Sequence, residues 1–238
     1  MLHRIEIAGI PVDVEFKDIK NIHLSVLPPE GDVRVAAPSR MNLDGIRVFL
    51  ITRLSWIRQQ RKKFEEQERE PIREYIERES HYLWGKRYLL SVEENEQPTQ
   101  VRALHSQIKL NISADADRNK RDAVVAAWYR DELRRVAEPL IETWEERLGV
   151  KVERLFVQRM RTMWGSCNPD ARSIRLNTEL AKKPQECLEY VVVHEMLHML
   201  EPTHSERFQS LLDVHLPQWR GVKELLNRLP FGEVNDAS

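Results

Sequence analysis

The stretch Tyr190-Val-Val-Val-His194-Glu195-Met-Leu-His198 constrains this chain more than any other. Val191 to Val193 give it an apolar lead-in, and Pro184 suits the first turn of a helix running to about Leu200. Pro202 blocks continuation, because its ring excludes the hydrogen bond to the residue four positions back. On such a helix, four residues separate His194 from His198 by about 6 Å of rise and only about 40° of azimuth, so both imidazoles reach one ion. The break at Pro202 lets the chain return with His204 as a third donor, in preference to Glu201, Glu206 or Glu224.

Three imidazoles and one open position suit a catalytic Zn²⁺. The His-x5-His step after the first pair matches three-histidine zinc hydrolases, although Glu201 stands where a mid-loop glycine is usual. Glu195 follows the first ligand and projects beside the pair, where it can take a proton from metal-activated water. Glu201 lies seven residues after His194, near its helix face, and is expected to support a ligand from behind. His3, His23, His81, His105 and His215 lack such spacing and read as ordinary surface or core residues.

The rest of the chain sets the frame. Its 238 residues are 41% hydrophobic and 32% charged, enough for a sizeable core, and 37 Lys plus Arg against 38 Asp plus Glu leave no global field favouring nucleic acid or a membrane. No secretory signal or membrane-spanning run is visible, and two cysteines, Cys167 and Cys187, make no disulfide framework, so a cytoplasmic protein is expected.

From Leu2 to about Pro38, alternating Ile and Val predict a meander of short antiparallel strands, punctuated by Pro28-Pro29-Glu30-Gly31-Asp32. Asn42 is placed to cap a helix to roughly Glu70, whose charged half from Arg58 onward reads as a solvated face. Two strands follow, Tyr82 to Val92 and Ser106 to Ile112, around an acidic turn at Glu93 to Gln97; no internal repeat is apparent. Arg118 to Leu148 has the apolar stripe of a long helix, with Gly149 to end it. Val150 to Met160 reads as a strand, Trp164 to Asp170 as a turn and Ser173 to Leu176 as the return strand of a hairpin. The fold class is therefore α+β, with an antiparallel β-rich N-terminal part carrying helices over residues 1–115, to which the sequence assigns no role, and a helix–hairpin–active-site-helix lobe over residues 116–238.

Trp164-Gly165-Ser166-Cys167, then Leu176-Asn177, then Tyr-Val-Val-Val-His-Glu-x-x-His and His204-Ser-x-x-Phe208 resemble the YgjP-like metallopeptidase family. The similarity reaches back to Tyr82-Leu-Trp-Gly-Lys-Arg-Tyr and on to Pro217-Gln-Trp219, essentially the whole chain. The resemblance implies a zincin-like lobe with His194, His198 and His204 as ligands and Glu195 catalytic.

Two readings stay open at the Trp164 turn: Gly165 admits positive φ while Trp164 packs inward, or Ser166 or a turn amide stands beside the substrate. Cys167 has no partner that would make it a nucleophile or fourth ligand. Arg159, Arg161 and Arg175, among five arginines on this hairpin, are candidates for binding a substrate anion, and alternation along the strand points Arg159 and Arg161 the same way. Peptide-like amide hydrolysis of a peptide or protein substrate is the leading function. Phosphoanhydride cleavage of a nucleoside triphosphate is the alternative, favoured by those arginines and disfavoured by the lack of a phosphate-binding glycine loop. A zinc-stabilised binding module is a third class, against which the open metal position and Glu195 argue. Nothing in the sequence sets an oligomeric state.

Overall fold

The computed structural model describes residues 2–27, 31–66, 72–96 and 98–230. Its contacts divide the chain into two compact units, Met1–Glu68 and Arg69–Ser238.

In the first unit, β1 (Leu2–Ile7), β2 (Ile10–Lys17), β3 (His23–Leu27) and β4 (Asp32–Pro38) form a sheet in the order β1-β2-β4-β3. The expected meander is not what forms: β2 and β4 pair in parallel, with β3 on the outer edge of β4. Both strands of the parallel pair bury alternate residues, Val12 and Val14 opposite Val33 and Val35, which places two strongly apolar strands side by side at the centre of the sheet. Asn42 caps α1 (Leu43–Thr52) by accepting the Gly45 N–H at 2.8 Å. The single helix expected beyond it is broken at Arg53, and α2 (Leu54–Glu66) follows. Gln67 to Glu70 and the Pro28-Pro29-Glu30 punctuation lie outside the described residues, as do the side chains of Lys63 to Glu66.

The second unit begins with β5 (Ser80–Leu83), β6 (Lys86–Glu94), β7 (Gln100–Ala103) and β8 (Gln107–Ile112) in the order β5-β6-β8-β7, and β6 and β8 are again parallel. The topology of the first sheet thus recurs although the sequence shows no repeat. Shared turn geometry explains part of it. Ala8-Gly9 (φ 50° and 79°) and Trp84-Gly85 (φ 51° and 76°) both take the left-handed pair that a two-residue hairpin requires.

The boundary expected near residue 115 falls inside the second unit. Leu83, Leu90, Ile108, Leu110 and Ile112 share one core with Val125, Tyr129 and Leu133 of α3 (Arg118–Leu148), so separating them at 115 would strip an apolar sheet face. Asp117 caps α3 through the Lys120 N–H, and Gly149, at φ 65°, ends it as expected.

After α3 come β9 (Arg154–Gln158), β10 (Gly165–Asn168), β11 (Ser173–Asn177), a 3₁₀ segment (Thr178–Lys182), α4 (Gln185–Leu197), α5 (Glu206–His215) and α6 (Trp219–Arg228). The hairpin of this sheet is β10–β11, and β9 joins β11 in parallel. The segment expected to be a turn is therefore itself a strand. Since β9 ends at Gln158, Arg159 and Arg161 lie beyond it and strand alternation does not govern them.

Pro184 stands at the N-cap of α4, and the tip of the β5–β6 hairpin holds the segment before it: Trp84 and Gly85 donate their N–H groups to the carbonyls of Ala181 and Lys182. The helix is buried nearly all round, as its run of apolar residues requires. No described helix is long and apolar enough to cross a membrane.

Candidate metal centre and cleft

α4 ends earlier than its sequence suggests. Its last helical residue is Leu197, His198 is the C-cap, and Leu200 and Glu201 both bond back to the Leu197 carbonyl before Pro202 turns the chain. The turn brings His204 back at once. One ring nitrogen from each of His194, His198 and His204 lies within 4.8 Å of the other two, and among the described residues no other group of histidines, cysteines and carboxylates converges in this way.

Serine and phenylalanine of the His-Ser-x-x-Phe string fix this return. The Ser205 hydroxyl caps α5 by accepting the Phe208 N–H at 3.2 Å, and Phe208, 1% exposed, sets its ring 4.7–5.0 Å from all three imidazoles. His198 Nδ1 lies 3.2 Å from the Glu201 carbonyl. With the proton on that nitrogen, Nε2 presents its lone pair to an ion. Glu201 thus meets His198 through its backbone, while its carboxylate accepts from the Thr203 hydroxyl.

The donor set fits a divalent ion. His194 Nε2 and His204 Nε2 are 2.9 Å apart. Two ligands on a tetrahedral zinc would stand at about 3.3 Å, given bonds of about 2.0–2.1 Å. Burial, with the neighbouring His198 and His204 adding to it, pushes His194 down to about 3, so its imidazole is neutral and available as a ligand at ordinary pH.

Glu195 stands outside this triad. It is 7% exposed, and burial raises its carboxyl to about 8. Directly opposite is Gly165 of β10: a Cβ there would sit 2.8 Å from Glu195 Cγ and Oε1 and from Val191 Cγ1. Gly165 is therefore demanded by space and not by positive φ.

The triad and Glu195 open on a cleft of about 550 Å³ walled by Met163, Trp164, Ser166 and Cys167 on one side and by Tyr190, Lys223, Leu226 and Asn227 on another. Ser166 is one of the residues that line the cleft. Cys167 also lines the cleft, but burial first and Glu195 second push its thiol up to about 11, which leaves little thiolate. A second hollow of about 430 Å³ shares Tyr190, His194, His204 and Lys223 with the cleft and is floored by Phe208, Leu212 and Trp219. Tyr190 stacks on Trp219 at 6.4 Å.

The arginines are placed elsewhere. Arg159 lines a separate cavity, Arg175 is exposed with its guanidinium 5.4 Å from the Phe156 ring, and Arg161 is exposed in the bend before Trp164. None of the three is among the cleft-lining residues. Lys223 is the cation that lines it, and sequence reasoning missed it because one lysine in the charged pattern of α6 has no distinguishing neighbour.

Two solved archaeal structures are similar to part of the chain: the metallopeptidase zymogen of Pyrococcus abyssi abylysin (18% identity, TM-score 0.36, 38% of this chain and 90% of that one) and that of Methanocaldococcus jannaschii jannalysin (16%, 0.35, 38% and 86%). No curated protein matches the chain. The family described as YgjP-like, metallopeptidase domain, matches residues 20–229, which span both units and every residue of the triad. On that match, the chain belongs to the YgjP-like metallopeptidase family.

Proposed function

We propose that this protein is a zinc-dependent peptidase in which His194, His198 and His204 hold the metal and Glu195 is the general base. The observation that carries this is the convergence of three imidazoles beside one buried carboxylate that is not grouped with them, at the floor of an open cleft. When bound, zinc would polarise a carbonyl and acidify water. Glu195 then accepts a proton from the attacking water on a carboxylate oxygen and returns it to the leaving amine nitrogen. Gly165 keeps the space that this carboxylate occupies, and the Glu201 carbonyl holds His198 in its ligating tautomer.

The apolar walls, Met163, Trp164, Val191 and Leu226, suit an extended peptide or protein substrate, and Lys223 is placed to meet negative charge on it. Phosphoanhydride cleavage needs a set of cationic donors at the cleft, and Arg159, Arg161 and Arg175 do not line it. A cytoplasmic setting fits Cys167 and Cys187, which are both free thiols.

Metal analysis together with a peptide-library cleavage assay tests the proposal. One zinc per chain is expected, lost in His204→Ala, with peptide cleavage abolished by chelation and restored by zinc. Full zinc retention in His204→Ala, or turnover of nucleoside triphosphates with no peptide cleaved, would refute it.

A further inference from the structure

The hollow of about 430 Å³ beside the triad has no part in holding the metal or moving the proton. It shares Tyr190, His194, His204 and Lys223 with the cleft, so a group that fills it lies against two of the metal ligands. Its floor is apolar and fixed. Trp219 Nε1 donates to Asp213 at 2.8 Å, and Phe208 packs against all three imidazoles. Among the described residues no carboxylate lines this hollow, whereas Tyr190, Gln209 and Lys223 can each donate a hydrogen bond.

Two of these donors lack an acceptor. Tyr190 is 6% exposed, with its ring 5.7 Å from that of His194 and 6.4 Å from that of Trp219, yet its hydroxyl makes no hydrogen bond among the described residues. Buried tyrosine hydroxyls ordinarily find a partner. Lys223 sets Nζ 5.5 Å from the Trp219 ring and makes no ion pair among the described residues. The acidic residues around it face other cations: Arg220 donates to both oxygens of Asp213, and Arg228 lies 3.8 Å from Glu224. An apolar floor with unmet donors at its edge, one of them cationic, is complementary to a carboxylate on a short apolar stem.

We propose that this hollow is the substrate subsite next to the scissile bond, where Lys223 and Tyr190 select a residue bearing a carboxylate, either on its side chain or as the free C-terminus. The assignment rests on the peptidase function proposed for the cleft, and it names the class of residue that function prefers. Lys223 supplies charge from a flexible stem, while the Tyr190 hydroxyl, on a ring clamped between His194 and Trp219, supplies direction.

Binding and cleavage are measured separately with acetylated alanine hexapeptides in which Glu or Gln occupies each position in turn and the C-terminus is free or amidated. Calorimetry on zinc-loaded Glu195→Gln protein reads binding, and the parent enzyme reads cleavage. A peptide with the carboxylate in register is expected to bind about ten-fold more tightly than its neutral twin, as one charge-assisted hydrogen bond provides. That ratio should fall to near one in Lys223→Gln, fall about three-fold in Tyr190→Phe and hold in Arg228→Gln. Lys223 is exposed and phenylalanine keeps the ring of Tyr190, so equal melting temperatures and zinc contents check that the fold is intact. A preference among amidated peptides marks an acidic side chain, one confined to free C-termini marks removal of terminal residues, and either supports the subsite. No cleavage by the parent enzyme, with a Lys223-dependent carboxylate preference intact, would refute the peptidase function and leave the carboxylate site standing. Equal binding of charged and neutral twins, a preference that survives in Lys223→Gln, or no binding of any peptide would overturn the subsite.

Discussion

Gly165 leaves almost no slack around Glu195. Gly165→Ala would put a Cβ 2.8 Å from Glu195 Oε1 and Cγ, and the backbone of β10 is pinned to β11, so the carboxylate is the group that must move. Displacement of a catalytic group by about 1 Å can cost about 10²-fold in rate. Gly165→Ala is therefore expected to lose about that much turnover while keeping its metal, as kinetics and metal analysis on one preparation would show; near-normal turnover would mean the carboxylate is less tightly seated. His81 is a second residue with a readable consequence. Burial lowers it from 6.5 to about 4, with Arg73 and Lys182 also lowering it and Glu79 opposing them. Between those pH values the unfolded chain binds the extra proton, so stability falls as pH drops through that window and is unaffected by this group above it. Denaturation midpoints measured from pH 7 to 4 should show a loss of about 3 kcal/mol from this source, and His81→Gln should flatten the slope.

At the scale of elements, the return of His204 depends on the cap of α5. Ser205→Ala removes the hydroxyl that accepts the Phe208 N–H, which typically costs about 1 kcal/mol and here loosens the turn that carries His204, the proposed third ligand. The expected result is a modestly lower melting temperature with a larger relative loss of metal affinity; unchanged affinity would show that Phe208 packing alone positions His204. This element was legible in the sequence because the physics is local: Pro202 stops a helix, Ser205 starts one, and a four-residue step puts two histidines on one side. What was not legible depends on partners far along the chain. The parallel pairing of β2 with β4 and of β9 with β11, the entry of β5 to β8 into the core of α3, and the clearance at Gly165 all come from contacts between distant segments. The arginines illustrate the same limit, since where β9 stops decides which way Arg159 faces.

For the whole molecule, every residue of the triad, Glu195 and the cleft belongs to the unit Arg69–Ser238, which has its own core. A fragment of residues 72–238 is accordingly expected to fold cooperatively and bind one metal ion, as circular dichroism and metal analysis would report. Failure to fold would show that the first unit is needed for stability. The central claim is that the protein separates holding a metal from moving a proton, with three imidazoles for the first and Glu195 for the second. Glu195→Gln keeps the size of the side chain and its helical preference while removing its basicity. Metal content and peptide turnover should be measured on the same preparation of this variant. Full metal occupancy with turnover reduced by about 10²–10⁴-fold is the predicted result, whereas a metal-replete variant of near-normal activity, or one that has lost its metal, would contradict the account.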